Sequence, residues 1–302
     1  MMPKTVMIPK AVTIPKAVTM LKAIRLDHTV FALPFALAAA VVAWNGWPLG
    51  RTLAWIFVAM VAARIAALAF DRIANLRLAR KAPRTADRAP VAGPAGTRWL
   101  WALLLIAAAT YFLAAAMLNR LCLVLSPLAL AVLLGYSYTK HLTVWTHWVL
   151  GLCLGLAPIG AWIAVRAQVE LPPLLLGAAV TFWAAGFDII HACRTVRVDR
   201  AHKLLSLPAR WGARKALVFA AANHLITVWL LALFGQAAGL GWLYLLGVVV
   251  LVPVLFWQHR MARPDNLPRM LGASFAANAV FSVALFLFAA ADVILISSKM
   301  RI

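Results

Sequence analysis

Long apolar runs separated by short polar segments recur along the whole chain. Each run is long enough for a helix to cross a bilayer, and none shows the strict alternation of a membrane β-barrel strand. Because every backbone group must be satisfied in lipid, such runs favour helices. The pattern predicts an all-α membrane protein with nine transmembrane helices, at about residues 28–45, 52–71, 99–118, 121–138, 145–165, 172–193, 215–235, 239–257 and 271–296.

The composition supports a membrane protein. The 302 residues are 65% hydrophobic and only 12% charged, which is more apolar surface than a soluble chain of this size can bury. Of the 29 Lys and Arg residues, 23 lie in segments on the N-terminal side of the predicted membrane and 5 on the other side. This bias predicts a multi-pass protein of the inner (plasma) membrane, with a cytoplasmic N-terminus and an outside C-terminus.

The formal net charge of +21 is therefore interpreted as a topology signal. No basic and aromatic surface outside the spans resembles a nucleic-acid platform, so we expect no nucleic-acid partner. Residues 1–23 repeat Ile-Pro-Lys-Ala-Val-Thr, and a proline every six residues forbids a regular helix. We expect residues 1–23 to form a disordered basic tail and residues 24–302 a single nine-helix domain.

Two stretches combine an apolar helix, a carboxylate and a basic loop. In residues 180–212, Asp188 lies within the apolar length, and a group of cations then surrounds Asp199. Residues 64–90 repeat this plan, with an apolar helix that ends around Asp71 and a basic loop after it. Acidic residues inside membrane segments are costly and usually face a cavity or a partner.

Both stretches open on the predicted cytoplasmic side of the bundle. A mouth that holds acids and cations above an apolar interior suits a ligand with an anionic head and a long apolar tail. Arginine forks bind diphosphate oxygens directly, and carboxylates bind them through Mg²⁺. A prenyl diphosphate meets this description, and so does an anionic phospholipid.

Five motifs in this order resemble the UbiA-type intramembrane aromatic prenyltransferases, and the closest branch is the bacterial 4-hydroxybenzoate polyprenyltransferases of quinone biosynthesis. The motifs are Leu26–Phe35, Pro83–Thr85, Leu134–Lys140, Leu154–Trp162 and Gly186–Ile190. The resemblance covers about residues 24–296. It implies nine helices around a central cavity that opens to the cytoplasmic side. It also implies transfer of a polyprenyl chain from its diphosphate to an aromatic acceptor such as 4-hydroxybenzoate, with Mg²⁺ held between two aspartate-rich motifs.

The chain departs from the family pattern at those two motifs. In the first, Asn75 and Ala79 stand where the family has metal-binding aspartates, and Asp71 replaces an asparagine. In the second, Thr195 replaces one aspartate, whereas Asp199 is retained. The family also usually has a tyrosine where this chain has His191, and polar or acidic residues where it has Arg194 and Arg197. These changes predict a weakened magnesium clamp.

The candidate residues follow from the motifs and the resemblance. The candidate catalytic residues are Asp71, Asp188, Asp199 and Asn75, and the first three are also the candidate metal ligands. The candidate substrate-binding residues are Arg72, Arg194, Arg197, His191, Tyr136, Lys140, Arg64 and His28.

Simpler interpretations stay open for several of these residues. In the simpler interpretation, Asp71 and Asp188 are structural acids paired with Arg72 or Arg64 across the bundle. His191 is placed to bond to Asp188 along one helix face. Tyr136, Lys140 and His28 suit interfacial anchoring as well as substrate contact.

Two functions therefore compete. In one, arginines replace the metal and the chain is a prenyltransferase. In the other, the chain keeps the fold to bind an isoprenoid, a quinone or a membrane partner without turnover. A transporter is a weaker third interpretation, because interrupted helix pairs in matching halves are missing from the sequence.

Overall fold

The computed structural model describes residues 27–79, 94–201, 204–261 and 267–297. Within these ranges, the side chains of residues 27–30, 75–79, 94–95, 267–273 and 297 are not described. The predicted tail at residues 1–23 and the Pro83–Thr85 motif lie outside the described residues. The side chains of His28 and Asn75 also lie outside the described part of the structure.

The described chain is helical, and its nine long helices follow the nine predicted spans in order. They are α1 Asp27–Trp44, α2 Gly50–Ala79, α3 Pro94–Leu118, α4 Arg120–Leu142, α5 Thr146–Arg166, α6 Leu171–Ala192, α9 Ala213–Ala237, α10 Trp242–Met261 and α11 Leu267–Asp292. Two short helices, α7 Val196–Ala201 and α8 Leu207–Trp211, lie between α6 and α9, and a π-helical turn at Val293–Ser297 follows α11. Eight described helices are long and apolar enough to cross a membrane, and the described apolar part of α1, Phe31–Trp44, is shorter.

One boundary differs from the sequence predictions. Helix α2 continues to Ala79, whereas the sequence predicted a helix that ends around Asp71 followed by a loop. Loss of hydropathy marks the edge of the membrane and does not by itself end a helix, and residues 72–79 contain neither Gly nor Pro. Helix α6 ends at Ala192, close to its predicted end at 193, and a turn follows, so Arg194 and Arg197 do not share one continuous helix.

The core of the bundle packs α6 against its neighbours. Residues Phe187, Ile189 and Ile190 of α6 are fully buried. Trp183 stacks on Phe281 of α11 with ring centroids 5.5 Å apart, and these rings anchor one side of α6. This burial makes α6 the central helix that carries Asp188.

Glycines set the closest helix contact, between α5 and α6. A Cβ at Gly151 would collide with the backbone carbonyl of Thr181, and a Cβ at Gly155 would collide with the carbonyl of Gly177. Small residues let helix backbones approach closely in membranes, where packing rather than the hydrophobic effect joins helices. The spacing of four residues on each helix keeps these contacts on one face.

At the end of the bundle where α11 ends and α10 begins, Asp292 joins these two helices. Its side chain is fully buried, and its two carboxylate oxygens accept the backbone N–H groups of Gly241 and Tyr244 at 2.7 and 3.1 Å. These donors belong to the start of α10, where a carboxylate is favourable because helix N-termini carry orphan N–H groups and positive partial charge. Asp292 is therefore a cap supplied by another helix.

The close contact between α5 and α6 predicts a sharp contrast between two glycines of α5. Replacing Gly151 with alanine forces a methyl group against a backbone carbonyl that cannot move aside, so we expect stability to fall by about 1–3 kcal/mol. Gly160→Ala is the matched control, because its Cβ would meet no atom within 4 Å. Thermal unfolding in detergent micelles measures both, and equal melting temperatures for the two variants would contradict this packing.

Candidate functional site

The candidate site lies at the end of the bundle where α2, α4 and α6 end and α5 begins, here called the basic end. Tyr136 of α4 is at its centre. Its hydroxyl interacts electrostatically with Asp188 of α6, with Asp71 and Arg64 of α2, and with Cys153 of α5. Tyr136 is therefore within electrostatic range of side chains from three other helices, including the two candidate acids Asp71 and Asp188.

The carboxylate of Asp188 is accessible at the edge of the packed core. Its side chain is 23% exposed, whereas Phe187, Ile189 and Ile190 beside it are fully buried. One carboxylate oxygen, Oδ2, lies 2.6 Å from Nδ1 of His147, at the start of α5. Lys140 and His191 also interact electrostatically with this carboxylate. The histidine at position 147 is a hydrogen-bond partner of Asp188 that the sequence alternatives did not include.

His147 was missed at the sequence level. It is separated from Asp188 by 41 residues and is 2% exposed. Its position follows from the glycine contact, because His147 lies on the same face of α5 as Gly151 and Gly155. One general rule could have pointed to His147 from the sequence: an acid within a membrane helix usually pairs with a polar side chain on a facing helix.

Cations gather around the same side chains. The Lys140 ammonium lies 5.9 Å from the centre of the Tyr136 ring, and Arg194 interacts electrostatically with His191. The buried Nε2 of His191 has no hydrogen-bond partner among the described residues, and its ring lies edge-on to Phe187. A buried polar atom without a partner is costly, and the described side chains leave this nitrogen unsatisfied.

The candidate residues divide into two groups. Asp71, Asp188, Tyr136, Lys140, Arg64 and His191 meet at the basic end, with Arg194 at its edge. Arg72 directly follows Asp71 on α2 and is half-buried. Arg197 is exposed on α7, and the structure gives it no hydrogen bond or ion pair with the described residues of the site. Asn75 lies on α2 and His28 on α1, but their side chains are outside the described part.

Asp199 organises the loop between α6 and α9. Its Oδ2 accepts hydrogen bonds from the Ser206 hydroxyl at 2.7 Å and from the Thr195 hydroxyl at 3.2 Å. Its backbone carbonyl accepts the N–H of Leu204 at 2.8 Å. Ser206 in turn caps α8 by accepting the N–H of Ala209 at 3.4 Å. The carboxylate therefore holds the loop in its folded form.

The described side chains do not form a preassembled metal site. Among them, no three Asp, Glu, His or Cys side chains lie close enough together to hold a metal ion. Asp199 uses one oxygen for two loop hydroxyls, and Asp188 uses one for His147. Mg²⁺ in sites that bind phosphates usually takes one or two carboxylates together with substrate phosphates and waters. The described carboxylates would therefore give Mg²⁺ few protein ligands.

The loop contacts generate a prediction. Ser206→Ala removes the bond to Asp199 and the cap of α8, and a lost cap costs about 1 kcal/mol. We expect backbone amides of residues 204–212 to exchange with deuterium roughly five times faster than in the wild type. Thr195→Ala is the graded control, because its bond is longer and exposed. Equal exchange in Ser206→Ala and the wild type would remove Ser206 from this role.

The sequence and the fold of the chain are similar to those of known proteins. A model of the UbiA prenyltransferase family matches residues 32–278. A 4-hydroxybenzoate octaprenyltransferase of Thiobacillus denitrificans is 30% identical, covering 83% of this chain and 85% of that protein. One from Citrobacter koseri is 27% identical, covering 78% and 83%.

Solved structures show the same fold. The apo structure of a UbiA homolog from Aeropyrum pernix K1 aligns with a TM-score of 0.76 and 33% identity, over 87% of this chain and 97% of that one. A UbiA homolog from Archaeoglobus fulgidus bound to DMAPP and Mg²⁺ aligns with a TM-score of 0.61, over 89% and 99% of the two chains. Its 18% identity supports the fold alone.

Proposed function

Because the chain belongs to the UbiA prenyltransferase family, we propose that it transfers a polyprenyl group from its diphosphate to an aromatic acceptor of the 4-hydroxybenzoate type. The 4-hydroxybenzoate octaprenyltransferases to which it is similar motivate the acceptor class. The observation that carries the proposal is the convergence of Tyr136, Asp71 and Asp188 with cations at one end of an apolar bundle. Acids and cations there suit the two polar reactants, and the bundle suits the prenyl chain.

In the proposed reaction, the bond between the allylic carbon and the diphosphate oxygen breaks, and its electron pair leaves with the diphosphate. The ring carbon ortho to the phenol then attacks the allylic cation, and the ring proton passes to the released diphosphate, which restores aromaticity. Lys140 and Arg194 stabilise the negative charge that grows on the leaving diphosphate. Asp188 accepts the hydrogen bond of the acceptor hydroxyl, which orients the ring and increases its electron density.

The magnesium expected from the family is the weakest part of the resemblance. A structural homologue was solved with a prenyl diphosphate and Mg²⁺, but Asn75, Ala79 and Thr195 remove acids at the matching positions of this chain. Guanidinium groups bind phosphate oxygens in bidentate fashion without a metal. We therefore propose that cations of the basic end supply most of the charge compensation.

We also propose that this multi-pass protein lies in the plasma membrane with its basic end facing the cytoplasm. The imbalance of Lys and Arg between the two sides supports this orientation. Protease added to inverted membrane vesicles then cleaves the loop after α6, whereas protease added to intact cells leaves it whole. The reverse pattern would overturn the orientation.

The cation proposal predicts a low dependence on metal. In detergent or nanodiscs with 4-hydroxybenzoate and a polyprenyl diphosphate, we expect turnover in excess EDTA to stay within about tenfold of turnover with added magnesium. The product is measured by chromatography with a radiolabelled donor. Turnover that disappears on chelation and returns with magnesium would contradict the cation clamp. Absence of product with every donor and acceptor tested would reject the proposed prenyltransferase activity.

Two arginines of the loop after α6 provide a matched test. Arg194 is half-buried beside His191, whereas Arg197 is exposed on α7. A lost charged hydrogen bond to the diphosphate corresponds to roughly 10- to 100-fold in kcat/KM, which we expect for Arg194→Gln. Arg197→Gln should show a smaller loss. Equal losses would mean that the folded loop does not discriminate between the two side chains.

A second candidate function is binding without turnover, and the altered aspartate motifs favour it specifically. It predicts that purified protein binds a prenyl diphosphate or a quinone without forming product. The triple variant Asn75→Asp, Ala79→Asp, Thr195→Asp then distinguishes the two. Activity that appears only in this variant, and only with magnesium, would show that the wild-type site has lost its catalytic activity. Activity in the wild type excludes this alternative.

A further inference from the structure

His147 makes two hydrogen bonds that together define its protonation. Its Nδ1 lies 2.6 Å from Asp188 Oδ2, and its Nε2 lies 3.3 Å from the backbone nitrogen of Leu207. A backbone N–H only donates, so Nε2 must accept and carries no hydrogen. The hydrogen therefore sits on Nδ1 and points at the carboxylate, which is the neutral tautomer. The ring is 2% exposed, so water does not compete for either bond.

Leu207 belongs to the loop between α6 and α9 that carries Arg194. It is the first residue of α8 and directly follows Ser206, which is bonded to Asp199. The neighbouring Leu205 donates its backbone N–H to the carbonyl of Lys140 at 2.8 Å. The loop is thus attached to α4 through Lys140 and to α5 through His147. A continuous series of contacts runs from Asp199 through the loop and His147 to Asp188.

We propose that His147 is a positioning residue that couples the folded position of this loop to the orientation of Asp188. With Oδ2 held by His147, the other oxygen of Asp188 stays available to a ligand. When the loop leaves, Nε2 loses its donor, and only the bond to Asp188 still holds the ring of His147. Asp188 is then held less firmly for the acceptor hydroxyl. The role of Asp188 rests on the proposed function, whereas the coupling itself does not.

A purely structural histidine would fill its space and contribute only to stability. In that case any side chain of similar volume would act alike, and the two bonds would have no separate consequences. The coupling instead predicts that each bond has its own effect. Asparagine and glutamine separate them, because the asparagine amide reaches the position of Nδ1 and the glutamine amide reaches that of Nε2.

The test compares His147→Asn, His147→Gln and His147→Phe in nanodiscs. Asparagine keeps a donor for Asp188 and loses the acceptor for Leu207. We expect it to rescue kcat to well above that of the phenylalanine variant, while trypsin cleaves the loop after Arg194, Arg197 or Arg200 about five to ten times faster than in the wild type. Glutamine should do the reverse, with wild-type protection of the loop and a kcat roughly 10- to 100-fold lower.

The outcomes are separable from those of the proposed function. If His147→Asn and His147→Gln lose kcat and loop protection to the same degree, or change only the melting temperature, the coupling is wrong. If the wild type shows no turnover, the proposed function fails, and the coupling is still decided by nitrogen NMR of ¹⁵N-histidine-labelled protein. The Nδ1–H tautomer should be seen in the wild type and kept in Asp188→Leu, where Leu207 still donates to Nε2. Cutting the loop with trypsin should shift and broaden the His147 ring-nitrogen signals, because Nε2 then loses its donor. Unchanged His147 signals after the cut would overturn the coupling.

Discussion

A carboxylate inside a membrane helix must have a hydrogen-bond donor, and the pairing of Asp188 with His147 meets this constraint. An uncompensated charge at this depth is costly, and removing one member of a buried pair strands the other. Here the donor is a neutral imidazole, so the carboxylate is satisfied without a second charge. One of its oxygens stays available to a ligand. The same ring accepts a hydrogen bond from the loop between α6 and α9, so His147 holds both Asp188 of the helix bundle and this loop.

The glycine contact explains why this pair forms. His147, Gly151 and Gly155 lie on one face of α5, and Gly177, Thr181 and Asp188 lie on one face of α6. The two helices run antiparallel, so the glycines at the middle of the contact bring the start of α5 against the end of α6. Close backbone approach at Gly151 and Gly155 sets both the distance and the register. A change of one turn in that register would separate the histidine from the carboxylate.

The altered acids change the electrostatic character of the basic end. Where the family pattern places aspartates for metal, this chain has Asn75, Ala79 and Thr195, and its surviving Asp199 is bonded within the loop. The cations Lys140 and Arg194 remain beside Asp188 and His191. The charge of these side chains is therefore less negative than in the family pattern. This weakens the attraction of a divalent cation and strengthens the attraction of an anion. This shift is consistent with direct binding of a diphosphate by protein cations.

Hydropathy along the sequence was sufficient for the nine long helices, because each must bury an apolar length equal to the bilayer thickness. It also sufficed to place Asp71 and Asp188 at one end of the bundle, since alternating spans return every second loop to the same side. The continuation of α2 past Asp71 and the short helices α7 and α8 depended on local hydrogen bonds and helix propensity, to which hydropathy is blind. The partner of Asp188 was decided only by the tertiary structure. His147 and Asp188 are 41 residues apart, and the backbone contact of two glycine-lined helix faces, rather than any local pattern, brings them together.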